Sequence, residues 1–539
     1  MIPHREITRN ENGSKIGFED TPTCSPTVKS NFLAIVLALV AAPAISASGP
    51  GQWVAATPLD LLVEASWKKA GIQPAAICSD EVFLRRAYLD VIGTLPTADE
   101  ARAFLADKSP DKRGTLVDRL LERDEFADYW AMKWCHLLRV KSEFPINLWP
   151  NAVQAYHQWI RTSIKENLPY DRFVRELLTA SGSSIRKPQV NFYRAVQSKT
   201  PQTLAQAVAL TFMGTRTEKW PPAQLSNMAA FFSRVGYKST AEWKEEIVFC
   251  DFSKPSTAPS GVLPDGTTAQ LPAMQDPRGV FANWLVNPAN EWFTRNIANR
   301  SWSWLFGRGI IHEPDDIRQD NPPTNPELLA YLECEWISYK YDMKHIFRLI
   351  LKSRTYQLSC VPPGSLPQAE SLFACYPVRR LEAEVLIDAI NMATGTTEKY
   401  MSKIPEPYTY IPEEKPAIAL ADASITSTFL DLFGRSPRIT GLESESSNPL
   451  PTATQELHLL NSSHILRLKL EQSPKLRSLM QSAGTPQEMI AQLYLTILSR
   501  YPTAAEIQII TTDKSADPKK AGLNLAWALI NSAEFQFKH

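Results

Sequence analysis

"TFMGTRTEKWPPAQLSNMAAFF", residues 211–232, reads as two helices pushed together across a clipped polar connector. Upstream, Leu204, Val208 and Phe212 fall at helical spacing, and a second apolar run opens at Leu225. Pro221 and Pro222 block continuation of the first helix and suit the opening turn of the second. Lys219 and Trp220 are expected to close a direct turn, with Trp220 packed on apolar neighbours. Helix, short connector, helix is also the pattern of most of the chain. The expected fold class is therefore mainly α: a multi-helix, two-part protein with a small β-rich connector and a helical-hairpin unit echoed near both ends.

Outward from this stretch, helical patterning runs from Asp60 to about Val235. "FLRRAYLDVIG" stops at Gly93, and Thr97 with Glu100 forms a capping box for "ADEARAFLAD". Near Asp111 one long periodic run begins, "KRGTLVDRLLERDEFADYWAMKWCHLLRV". "EEIVFCDF" reads as a strand, and Asp265-Gly266 as a hairpin turn. Helices resume at Asp276 and again from Thr454, and strands are expected only over 245–275 and in short pieces near 404–450. The expected parts are 1–47, an export signal and the segment before it, and 55–240, a first helical domain. A connector over 241–275 leads to a second helical domain over 276–539, with an irregular insert at 404–451 and a C-terminal helical hairpin at 454–539. "YLDVIGTLPTADEARAFLADKS" from Tyr88 aligns with "YLTILSRYPTAAEIQIITTDKS" from Tyr494, and each copy runs on to Glu-Phe, at Glu125-Phe126 and Glu534-Phe535. Equivalent hairpins closed by Pro96-Thr97 and Pro502-Thr503 are expected.

The 539 residues allow two to four domains, and 44% hydrophobic content supplies real cores. With 57 basic against 57 acidic residues, nothing in the charge balance points to nucleic acid or an anionic membrane surface. Lys29 precedes an apolar run within 31–49 that falls short of the roughly 20 residues a bilayer needs. Small-residue cleavage sites follow at Ala42-Pro43-Ala44 and Ile45-Ser46-Ala47. The segment reads as an export signal cleaved near Ala44–Ala47, giving a periplasmic, cell-surface or extracellular product with no transmembrane span. The charge-balanced stretch before Lys29 is unusual for a signal and fits a translation start downstream of Met1. Loss of Cys24 leaves six cysteines without a C-x-x-C pair, and their spacing assigns no disulfide.

No phosphate-binding loop, dinucleotide fingerprint, serine elbow or H-E-x-x-H is present. Cys135 and His136 are adjacent, and His458 and His464 are six apart on what periodicity makes different helical faces, so neither pair reads as a chelate. The one dense polar cluster is "FGRGIIHEPDDIRQDNPPTNPELL", with Arg308, His312, Glu313, Asp315, Asp316, Arg318 and Asp320 between two helices. Catalytic candidates are Asp315, Asp316, His312 and Arg318, because paired carboxylates can share acid–base work. Asp315, Asp316 and Asp320 are the candidate ligands for a hard cation, with calcium the one such oxygen donors would take. The competing account is a salt-bridged turn ahead of the Asn325-Pro326-Glu327 helix start, and it is favoured. "YPVRRLEAE", with Arg379, Arg380, Glu382 and Glu384, is the distant segment that would supply matching charges.

"FLRRAYLDVIGTLPTADEARAFLAD", "LVDRLLERDEFADYWAMKW" and "NLPYDRFVRELL" resemble the exported planctomycete-type domain of unknown function 1549 (DUF1549). "DPRGVFANWLVNPANEWFTRNIANRSWSWLFGRGI", "PDDIRQDNPPTNPELLAYL" and "RRLEAEVLIDAI" resemble its usual companion, domain of unknown function 1553 (DUF1553). The resemblance implies an exported, mainly helical protein of a kind that often accompanies cytochrome c-like domains. In many such relatives a C-x-x-C-H-type stretch sits in the connector quoted at the outset. Here Arg216 passes to Lys219 without cysteine or histidine, so no haem and no other cofactor is expected. After "FGRSPR", where relatives often carry cysteine, the chain reads "ITGLESESSNP".

Three functional readings follow. The favoured one is a non-catalytic exported scaffold or binding protein for an envelope protein or polysaccharide, since no nucleophile or metal set is recognisable. The second is an extracellular glycan-directed hydrolase using the Asp315/Asp316 loop. The third, from the resemblance alone, is a degenerate relative of redox-associated, cytochrome c-linked proteins. On this reading the chain leans away from being an enzyme.

Overall fold

Threonines open many of the helices. Thr57, Thr97 and Thr485 cap Pro58–Ala70, Ala98–Ala106 and Pro486–Leu498, and Asp60, Glu100 and Glu488 reach back to complete each box. The structure, a computed structural model, describes residues 53–254, 260–412, 414–446, 451–512 and 518–539. The expected export signal therefore lies outside the described residues. The described chain is mainly helical and belongs to one packing unit, Ser46–His539. No helix among the described residues is long and apolar enough to cross a membrane.

The strands are short, and some fall where periodicity gives no warning. Val235–Ser239 pairs antiparallel with Glu246–Cys250 in the register Tyr237 to Val248, and Gly182–Ser183 lines the other edge. Ser260–Val262 and Thr268–Gln270 form the hairpin expected around Asp265-Gly266, with Gly266 at φ 85°. Met401–Ser402 pairs with Ile425–Thr426. The expectation that strands stop at 245–275 and 404–450 is corrected at Gly182–Ser183, Val235–Ser239, Arg379–Arg380 and Phe537–Lys538. The last two pair with each other. A two-residue strand has no alternation to read, because its pairing is imposed by tertiary docking.

The sixteen-residue helix Glu291–Phe306 organises the interior. It is buried on most of its circumference, so its polar residues serve as ties rather than as a solvent face. Asn296 Nδ2 and Arg300 Nη1 donate to the Thr211 carbonyl, at 3.1 and 2.7 Å. Asn299 clamps Ile311, accepting its N–H at 2.8 Å and donating to its carbonyl at 3.1 Å. One helix thus holds both the 211–220 connector and the 307–325 loop.

The connector folds as expected. A 3-10 turn spans Thr217–Lys219, the Trp220 N–H donates to the Thr217 carbonyl at 3.0 Å, and Pro222 is the first residue of Pro222–Ala230. Trp220 packs on the core. Gly214, at φ 61°, permits the close approach of Asn296 and Ile317, which a Cβ would meet at 2.6 and 2.9 Å.

The two echoed units are matched in detail. Asp80–Val91 and Pro486–Leu498 carry Tyr88 and Tyr494, left-handed residues follow at Gly93 and Ser499 (both φ 64°), and Thr97 and Thr503 cap the next helices. In the first unit Arg123 bonds the capping Glu100 (2.7 Å) and Glu125 (2.5 Å) and lies 5.7 Å from the Tyr88 ring. In the second Arg500 bonds Glu506 (2.8 Å) and Glu534 (2.6 Å), 5.1 Å from the Tyr494 ring. The arginine comes from a different sequence position in each copy. The long run expected from Asp111 is two helices, Lys112–Leu121 and Asp124–Leu137, broken at Arg123 in extended conformation.

Candidate functional site

The acidic loop is consumed by internal bonds. Asp315, buried, accepts from Arg300 Nη2 at 2.7 Å and from the Glu443 N–H at 2.6 Å. Glu443 completes the triad, 3.1 Å from Arg300 Nε and accepting from Trp304 Nε1 at 2.9 Å. Burial alone would pull the Arg300 pKa down, but Asp315 and Glu443 outweigh it and hold the pKa up. Asp316 and Asp320 turn the other way and share Arg318, at 3.0 and 2.7 Å. The three carboxylates proposed as calcium ligands therefore do not converge. Among the described residues no group of three or more His, Cys, Asp or Glu side chains is placed to hold a metal ion.

"YPVRRLEAE" does not supply the charges that answer this loop; Arg300 does. Arg379 crosses Gly307 instead, where a Cβ would lie 2.1 Å from its Cδ. It donates to the Trp304 and Leu305 carbonyls at 3.0 and 2.7 Å and pairs with buried Asp90 at 3.1 Å. Lys538 reaches the same Asp90 at 3.3 Å and Glu382 at 3.2 Å, and Lys133 holds Glu382 from the far side at 2.7 Å. Burial would raise Glu382, yet these two lysines hold its carboxyl well below the usual range.

A cleft of about 490 Å³ opens between these elements. His312 and Glu313 from the acidic loop, Arg308 before it, Arg379 to Glu384 and the Gly434–Arg438 turn contribute to its walls. His136 forms part of the floor: its Nδ1 meets the Ser436 hydroxyl, and its Nε2 donates to the Leu442 carbonyl at 2.6 Å. Burial keeps this imidazole's pKa below its usual value, against Glu443, the Leu442 carbonyl and Glu445. A Glu445 carboxylate oxygen is 3.9 Å from Nδ1, and the two hydrogen bonds of the ring tie the 436–445 turn to helix Asp124–Leu137. Of the sequence candidates, the structure brings His312 to the cleft and keeps Asp315 behind its wall. Lys133, His136, Ser436 and Arg438 were not legible as site residues, because the turn that carries Ser436 and Arg438 lies some 300 residues from His136.

His458 and His464 meet as well, which corrects the reading that set them on different faces. One helix ends at Asn461 and another begins at His464, so His458 Nε2 lies 3.3 Å from His464 Nδ1. Glu398 accepts from His464 Nε2 at 3.1 Å and pairs with Lys469 at 2.9 Å.

The fold and cleft define a class: a mainly helical protein, packed as one unit, with a charged cleft in its surface. The chain belongs to the family pairing "Protein of unknown function (DUF1549)", matched over 58–230, with "Protein of unknown function (DUF1553)", matched over 277–512. No curated protein and no solved structure matches it.

Proposed function

We propose that the protein is an exported, non-catalytic binding protein that takes a polysaccharide of the cell envelope into its charged cleft. The observation that carries this reading is the fate of the acidic loop. Glycoside hydrolysis needs two carboxyl groups flanking the scissile bond. Asp315 is instead locked to Arg300 and the Glu443 N–H, and Asp316 to Arg318. A cleft of about 490 Å³ bordered by Trp304 and Phe433 together with charged groups has the mixed apolar and polar lining of a ligand site. Of the two partner classes, envelope protein and polysaccharide, a recessed cleft suits a flexible sugar chain better than a folded surface. Export rests on the apolar run after Lys29, and the haem-free connector rests on its lack of cysteine and histidine. The test incubates the mature, exported protein with a glycan array and then sizes the captured glycans. Capture at unchanged length is expected. Shortened glycans would favour the hydrolase, and capture of an envelope protein with no glycan would overturn the choice of partner.

A further inference from the structure

Each carboxylate that lines the cleft lies against a cation, although Glu443 shares its Arg300 with buried Asp315. Glu382 lies between Lys133 and Lys538, Glu384 is 3.1 Å from Arg435, Glu443 is 3.1 Å from Arg300, and Glu313 is 3.5 Å from Arg216. Three guanidiniums in the same lining have no such match. Arg438, 1% exposed, donates only to backbone carbonyls, Ala421 at 2.8 Å being the nearest. Arg380 reaches the neutral amide of Gln455 and lies 5.1 Å from the Phe433 ring centre. Arg308 has no hydrogen-bond or ion-pair partner among the described residues, and its Nε is enclosed.

Behind the floor the imbalance continues. Arg139 is buried, donates to the Thr440 carbonyl at 3.1 Å and leaves Nη1 unpartnered. Burial pulls its pKa down to about 10, against the influence of Tyr156, Glu445 and Asp315. Guanidiniums held out of water without a counter-ion are costly, and low-dielectric walls focus their field into the open space beside them. The chain as a whole carries no net charge, so this concentration is local.

We propose that the cleft selects an acidic sugar, whose carboxylate or sulfate ester is bound by Arg308 in the positive field of Arg380 and Arg438. This rests on the binding reading above and names its ligand class. The planar guanidinium fork matches either oxyanion with two parallel N–H bonds, and a free Arg308 can offer that fork without breaking an existing pair.

The test uses isothermal titration of the mature, exported protein with three hexasaccharides of matched linkage: oligogalacturonate, its neutral galactose counterpart, and a sulfated form of the latter. At least one acidic probe is expected to bind tenfold or more tightly than the neutral one, and to weaken with salt. The two acidic arms distinguish carboxylate from ester. Arg308→Gln is expected to reduce acidic binding about tenfold or more while leaving neutral binding and the thermal melt unchanged. Lys403→Gln, at an exposed lysine outside the cleft lining, is expected to change nothing. Equal affinity for acidic and neutral probes would overturn the acidic-sugar inference and leave the binding cleft standing. Acidic binding that survives Arg308→Gln but falls with Lys403→Gln would assign it to general surface charge and refute the proposal. Absence of binding by all three probes would refute both readings at once.

Discussion

Asp315→Ala is the sharpest test of how the acidic loop is held to helix Glu291–Phe306 and to the turn at Glu443. Asp315 and Arg300 are 2% and 0% exposed, and their 2.7 Å bond lies beside a second, 2.6 Å bond from the Glu443 N–H. Removing the carboxylate leaves a buried guanidinium with Glu443 alone and an N–H with no acceptor. Breaking a buried pair of this kind costs about 3–5 kcal/mol. Asp316→Ala is the internal control: Arg318 retains Asp320 at 2.7 Å, and a half-exposed pair is worth about 0–1 kcal/mol. A chain of this size need not unfold in one step, so the loss is read as a shift of the first transition in far-ultraviolet circular dichroism melts. Asp315→Ala should melt well below the wild-type protein and Asp316→Ala close to it, with calcium moving neither curve. Equal small shifts for both variants would refute the clamp. If calcium raised the wild-type melting temperature and Asp316→Ala abolished that rise, the loop would be a cation site instead, because a ligand of the folded state must stabilise it.

Three further outcomes are expected. Burial pushes Asp388 up to about 7, against its bonds from the Ala417 and Ile418 N–H groups, with Glu384 and Glu398 adding to the rise from the ordinary 3.8. The unfolded chain therefore ionises this group first, and its contribution to stability falls as pH rises from about 4 to 7 and is flat above. The melting difference between Asp388→Asn and wild type should grow in the variant's favour across that window, and a constant difference would contradict the assignment. Made in a host that attaches covalent haem, the protein should show no Soret band, since no cysteine lies between Cys135 and Cys250 and no histidine between His157 and His312. Burial, Glu370 and the neighbouring Cys360 thiol push Cys375 up to about 12, and the Tyr376 N–H bonds the Ser359 carbonyl at 3.0 Å alongside. If the chain is exported, non-reducing peptide maps should link Cys360 to Cys375, and two free thiols there would count against an oxidising compartment.

Much of this architecture is visible in the sequence where the controlling forces are local. The capping boxes at Thr97 and Thr503 place helix starts, and Asp265-Gly266 places a hairpin, because each depends on residues within a turn of itself. The break at Arg123 was not visible. No proline or glycine marks it, and it exists because extended backbone there lets the guanidinium reach Glu100 and Glu125. The same limit hid the cleft. His136 looked like one helical histidine among eight until the chain returned 300 residues later with Ser436. The acidic loop stood out for its charge density, yet that density is what a buried tie and a surface turn require together.

The echoed units bear on the charge of that cleft's wall. In one, the arginine that joins the capping glutamate to the Glu-Phe glutamate is Arg123, two residues before Glu125; in the other it is Arg500, in the turn between the helices. A shared geometry met from two sequence positions indicates that the knot itself matters: a tyrosine face, two carboxylates and one guanidinium that holds a loop against a helix pair. Its consequence differs by location. The second knot fixes Glu534 three residues before Phe537, and Arg85 from the first unit secures the same segment through the Ile497 and Phe535 carbonyls, both at 2.9 Å. Phe537–Lys538 can then pair with Arg379–Arg380, sending Lys538 between Asp90 and Glu382. Lys538 thereby neutralises an acid that would otherwise face the cleft, so the repeat near each end of the chain helps set the positive balance of the wall between them.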